Sequence, residues 1–147
     1  TGNTDLNPLV QSVIERYQRS GKTVDFTPAP LPPLPLRAQA MQRVLTNLID
    51  NALRHGGGGV EVVTGPQGTG AFIEVRDRGP GIPAADAQRM LQPFTRMDGA
   101  RSTSGTGLGL AIVDRIARLH GGTVRLLPRD GGGLCSRVEL ELTAQPE

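Results

Sequence analysis

Asn47, Asn51, Arg54 and His55 stand four, three and one residues apart. At about 100° per residue they project from a helix within roughly a quarter-turn of one another. Asparagine is disfavoured inside helices, because its amide competes for backbone hydrogen bonds. Two of them one turn apart therefore point to a polar site. Their amide oxygens are hard ligands suited to a magnesium ion, which keeps several waters and uses substrate phosphates. Arg54 could neutralise phosphate charge. The same stripe could also be a solvated helix face. Further along, Asp77-Arg78-Gly79-Pro80-Gly81-Ile82-Pro83 follows a strand-like run. Its glycines permit positive φ and close approach of a ligand to backbone. Asp77 could accept a hydrogen bond from an amine such as the exocyclic amine of adenine. Guanine presents a carbonyl at that place, so an ionised Asp disfavours it. An ordinary tight turn also uses Asp-x-Gly.

A third candidate is Gly105-Thr106-Gly107-Leu108-Gly109-Leu110. Glycines at a helix entrance expose backbone N–H groups at the positive end of the dipole, which suits a phosphate. The spacing is G-x-G-x-G and no strand precedes it, so it is not the dinucleotide fingerprint, and the P-loop Lys is absent. Arg96 and Arg101, just upstream, could contact phosphate or lie in solvent. Phe94, after Pro93, could anchor a lid or belong to the core.

Positioning these residues requires helices and strands around them. Met41, Val44, Leu45, Leu48, Ile49, Ala52 and Leu53 make one broad apolar face on a helix predicted over 37–55, ended by Gly56–Gly59. A helix is predicted over 7–19, with Asn7 as cap and Pro8 in the first turn. A third is predicted over 108–120. Strands are predicted at 23–26, 60–63, 71–75, 123–127 and 134–142, with turns at 64–70 and 128–133. The run Pro28–Pro35 reads as a stiff connection inside one domain. Residues 77–107 are irregular apart from a short helix at 84–91. Loops this long are usually functional lids or disordered. Strands mixed with three helices imply a mixed sheet covered by helices on one face.

Composition narrows the class. Of 147 residues, 20 are Gly and 12 are Pro, short of the ~25–30% that marks low-complexity disorder. No apolar run is long enough to span a membrane, and Thr1–Asp5 is unlike a signal peptide. Cys135 is the single cysteine, which excludes a disulfide framework and a cysteine-rich zinc site. The net charge is only +2, and the aromatics are Tyr17, Phe26, Phe72 and Phe94. No basic run and no stacking platform exist for nucleic acid.

The order of the motifs carries a family resemblance. Asn47-Leu48-Ile49-Asp50-Asn51-Ala52 resembles the N box, Asp77-Arg78-Gly79-Pro80-Gly81 the G1 box, Pro93-Phe94 the F box, and Gly105–Leu110 the G2 box. Together they resemble the catalytic ATP-binding domain of sensor histidine kinases, in the fold shared with gyrase, Hsp90 and MutL. Residues 92–120 are especially similar to osmosensor kinases of the EnvZ type. The resemblance implies a single domain over 1–147, an α/β (α+β) two-layer sandwich with a mixed sheet of about five strands, three helices and an ATP lid at about 84–104. It implies ATP and Mg2+ as cofactors. Asn51 would hold the metal with Asn47 assisting, and Arg54 and His55 would flank the phosphates. Asp77 would bind adenine, in a pocket shaped by Gly79, Gly81 and Ile82. Gly105, Gly107 and Gly109 would let the lid fold over the triphosphate, and Phe94, Thr106, Leu108 and Leu110 would be further nucleotide-binding positions.

Two departures qualify the resemblance. The gyrase and Hsp90 branch carries a water-activating Glu where this sequence has Asn47, so rapid ATP hydrolysis is not expected. Asp50 is the one nearby carboxylate that could replace it. A phosphoacceptor His followed by an acidic residue is also absent. His55 and His120 sit at helix ends, and His120 reads as a residue interacting with the helix dipole. The chain is therefore expected to bind ATP and to phosphorylate a histidine on a separate dimerisation domain, but not to autophosphorylate alone. A full-length homodimer, a cognate response regulator and a cytoplasmic position in a bacterial inner-membrane protein are implied, with no membrane contact by this domain. The competing readings are a serine protein kinase of the anti-sigma-factor type and a non-catalytic nucleotide-responsive module.

Overall fold

Leu6, Val10, Val13 and Ile14 recur at helical spacing and are buried, which sets helix α1 at Leu6–Arg19. In this computed structural model, residues 3–55, 59–80, 84–86, 91, 109–129 and 132–141 are described. The N-cap of α1 is Asp5, with no side-chain capping bond. The expected Asn7 cap fails because that amide is taken by tertiary partners. Asn7 Nδ2 donates to the Ala29 carbonyl at 2.7 Å, and Oδ1 accepts from Thr64 Oγ1 at 2.6 Å.

Strand β1 covers Val24–Thr27. The proline-rich connection that follows lies inside the domain, as expected. A bridge between Thr4 and Leu34 ties it down, and Leu34 and Leu36 are buried. Helix α2 covers Ala38–His55. Its apolar stripe, Met41 through Ala52, is buried as the periodicity required.

Strands β2 (Val60–Gln67) and β3 (Gly70–Arg76) form the expected antiparallel hairpin. The turn is shorter than the 64–70 expected, because Gln67 pairs with Gly70. Gly68 takes φ +56, as a two-residue primed turn requires. Pro66 sits within β2, where a proline is tolerated only if no ladder bond is asked of its nitrogen. Thr64, two residues earlier and so on the same side of the strand, turns its carbonyl to Ala29 N–H at 3.0 Å. The pairing of β1 with β2 ends at Thr27 and Val63, so among the described residues Pro66 meets no strand partner on that side.

Helix α3 covers Gly109–Leu119, β4 covers Gly122–Pro128 and β5 covers Leu134–Leu140. Leu108 and Leu142, expected to extend two of these, lie outside the described residues. Of the short helix expected over 84–91, the described part is a 3-10 turn at Ala84–Asp86, and Leu91 packs partly buried on the core.

The sheet order is β1-β2-β3-β5-β4. The β1–β2 pair is parallel and the other pairs are antiparallel. Val62, Ile73, Val138 and Leu140 alternate onto the face packed beneath the helices, and all are fully buried. This is the mixed sheet covered by helices on one face that the element pattern predicts, and the two-layer sandwich that the resemblance implies. The opposite face carries charge. Arg137 donates to Glu74, to Glu139 at 2.6 Å and to Gln67 at 2.6 Å, and its guanidinium lies 4.1 Å above the Phe72 ring. Phe72 lies across Gly65, where a Cβ would stand 2.7 Å from the ring.

Candidate functional site

The apolar stripe of α2 faces the sheet and α3, which leaves Asn47 and Asn51 half-buried beside it and Arg54 exposed. Helix α3 begins at Gly109. A Cβ built on Gly109 would lie 3.7 Å from Asn47 Oδ1. The packing of α2 on α3 thus brings the first described turn of α3 beside Asn47. An N-terminus offers N–H donors and a positive dipole end to an anion. Leu110, next in the helix, is buried and fixes this end of α3 in the core.

Asp77 follows β3 and is 2% exposed. Its Oδ1 accepts from Gly79 N–H at 2.8 Å and from Leu134 N–H at 3.1 Å. Its own N–H donates to the Leu134 carbonyl at 2.9 Å. Both side-chain bonds go to Oδ1, so among the described residues Oδ2 is the oxygen left for a ligand N–H. Leu134 and Arg129, which also bonds Asp77, were not singled out by sequence reasoning. The only local signal was the glycine run at 131–133, read simply as a hairpin turn.

Asp50 is turned to another task. The Tyr17 hydroxyl donates to Asp50 Oδ1 at 2.8 Å. Burial, then this bond and the Asp50 charge, push the Tyr17 phenol well above its ordinary value. Asp50 is thereby held by α1. His120 directly follows the last residue of α3, Leu119. Its Nδ1 lies 2.9 Å from the Ile116 carbonyl, and its Nε2 accepts from Arg37 N–H at 3.3 Å. With Nε2 accepting, Nδ1 is the ring nitrogen that donates to the Ile116 carbonyl. Cys135 is buried, and burial, with Glu74 nearby, pushes its thiol up to about 11, so it is not a poised nucleophile.

The structure brings Asn47 to Gly109, and Asp77 to Gly79 and Leu134. His55 closes α2, but its side chain is outside the described residues. Gly81, Ile82, Phe94, Arg96, Arg101, Gly105, Thr106, Gly107 and Leu108 also lie outside them.

The family model described as histidine kinase-, DNA gyrase B-, and HSP90-like ATPase matches residues 37–144. The chain belongs to this family. Sensor protein CutS of Streptomyces coelicolor is 41% identical over 105 residues, covering 68% of this chain and 25% of CutS. This chain thus spans about a quarter of that relative's length. The mycobacterial sensor histidine kinase MprB superposes with a TM-score of 0.82 at 28% identity, over 93% of this chain and 95% of that one. The histidine kinase domain of the E. coli osmosensor EnvZ gives a TM-score of 0.74 at 33% identity, over 100% of this chain and 93% of that one. This is therefore an ATPase domain of the sensor histidine kinase kind, and nucleotide use comes with the family. Among the described residues, no helix is long and apolar enough to cross a membrane.

The residues present are compatible with magnesium of a particular kind. No group of three or more His, Cys, Asp or Glu that could hold a metal exists among the described residues. Asn47 offers a neutral amide oxygen beside the start of α3, and Asn51 offers another one turn further along α2. That donor set suits an ion completed by phosphate oxygens and waters rather than caged by protein.

Proposed function

We propose that this domain loads Mg-ATP and presents the γ-phosphate to a histidine on a separate dimerisation domain. The observation that carries the reading is the meeting of Asn47 with the N-terminus of α3. It supplies a metal-compatible oxygen and an anion-binding helix end in one place. Asp77 supplies a fixed carboxylate for the N6 amine of adenine, and Gly79 donates its N–H to keep that carboxylate in place. Asn51 holds magnesium with Asn47 assisting, and the ion would neutralise phosphate charge. Arg54, His55, Arg96 and Arg101 are the candidates for further phosphate contacts. The segment at about 84–104 is the candidate lid.

No residue of this chain is assigned as a base. The position that would hold a water-activating carboxylate is Asn47, and Asp50 is engaged by Tyr17. What the domain contributes is positioning and charge neutralisation, the main components of catalysis in phosphoryl transfer. The acceptor's proton is handled on the acceptor's domain. We further propose that this is a cytoplasmic part of a dimeric inner-membrane kinase serving a response regulator.

The test supplies γ-labelled ATP to this domain and a separately made histidine-bearing helical domain. The two are mixed, and also joined by a flexible linker so that weak docking cannot hide transfer. Label on histidine is the expected outcome. Label on a serine protein supports the serine-kinase reading. ATP binding without transfer in the joined protein supports a non-catalytic module.

A further inference from the structure

We propose that Arg129 is a positioning residue for the adenine-recognition carboxylate of Asp77, acting through the Asp77 peptide. The inference rests on the reading of Asp77 given above. Arg129 follows β4 at the start of the β4–β5 hairpin, and its side chain is only 12% exposed. One arm, Nη1, donates to the Asp77 carbonyl at 3.1 Å, and the other, Nη2, donates to Glu61 Oε1 at 3.2 Å. The guanidinium therefore spans from β2 to the residue that follows β3. A guanidinium presents its donors in a rigid planar fork, so both bonds are made from one fixed orientation.

The hairpin itself is built to reach Asp77. Arg129 N–H donates to the Gly133 carbonyl at 3.0 Å, and Gly132 N–H donates to the Arg129 carbonyl at 2.9 Å. Gly133 takes φ +111, and a Cβ there would stand 2.1 Å from the Asp77 carbonyl oxygen. Only glycine lets the hairpin lie against this peptide. Three groups of Asp77 are then fixed by one hairpin: its N–H and Oδ1 by Leu134, and its carbonyl by Arg129. Fixing the carbonyl sets the backbone from which the carboxylate projects and the Gly79 turn departs. Arg129 touches no group assigned to the ligand, so its effect is on where Asp77 points.

The experiment measures Mg-ATP and Mg-ITP binding to the whole chain. ITP carries a carbonyl where ATP carries its N6 amine, so the ratio of the two affinities reads Asp77 orientation. In Arg129→Met, ATP binding is expected to weaken about threefold to tenfold, the size of a lost hydrogen bond. ITP binding should change less, so the ratio falls. Arg129→Lys, which keeps the charge without the fork, should give an intermediate ratio. Equal weakening of both nucleotides, as a merely structural role would produce, overturns the proposal, and so does no change. If Arg129→Met does not fold, Glu61→Gln loosens the outer arm, together with the weaker Glu61–Arg76 pair at 3.6 Å, and an unchanged ratio there overturns it. Asp77→Asn separates the two readings. An unchanged ratio in that variant removes the adenine site itself. A collapsed ratio in Asp77→Asn beside an intact one in Arg129→Met removes only the role of Arg129.

Discussion

Asn47 and Asn51 are one turn apart on α2, and Asn47 Oδ1 lies beside Gly109 at the start of α3. If Asn51 is the main magnesium contact, Asn51→Ala should weaken ATP binding about tenfold or more with magnesium present. Binding with the metal chelated should hardly move. Calorimetric titrations with and without magnesium check this, and equal loss in both would deny the metal role. These two asparagines could be singled out in the sequence because a helix places neighbours by simple periodicity. The clamp on Asp77 could not. Its partners Leu134 and Arg129 are 57 and 52 residues away, and only the folded hairpin brings them in. Asn7 failed for a related reason: local rules made it a cap, while Ala29 and Thr64 claimed its amide.

At the scale of elements, α2 serves two purposes on adjacent faces. Its apolar stripe anchors it, and the polar stripe beside it is thereby aimed. Leu48, next to Asn47 in sequence, is 1% exposed. Leu48→Ala should cost about 2–5 kcal/mol of stability, read as a lower denaturation midpoint at an unchanged slope. The seven-residue apolar pattern of α2 was legible because periodicity and burial agree there. The length of β2 was not. Gly65 and Pro66 looked like turn residues, yet Gly65 is small to admit Phe72 and Pro66 needs no ladder partner. The first reason is a cross-strand contact and the second lies in where β1 ends, so the turn propensity of these residues taken alone pointed the wrong way.

For the whole molecule, the sheet is a wall with helices on one side and a lattice of ions on the other. Glu74 sits in that lattice between Arg76 and Arg137. Burial alone raises its carboxyl pKa, but hydrogen bonds and charge from Arg76 and Arg137 outweigh this and leave it lowered. A lowered folded-state pKa contributes stability that is present above the unfolded value, about 4.3, and lost as pH falls through the folded value. Acid unfolding followed by circular dichroism should therefore show stability dropping below about pH 5. Glu74→Gln should be less stable near neutrality and should show a shallower drop. An identical acid profile in the two proteins would deny Glu74 that role.

Pro66 has a consequence beyond the hairpin that contains it. Where β1 stops, the margin of β2 would otherwise present the start of a template on which another copy's backbone could add. A proline there has no N–H to offer, so strand addition is blocked at its first rung. With the Thr64 carbonyl just before it already taken by Ala29 N–H, the proline guards the rest of this margin against fibrous growth between molecules.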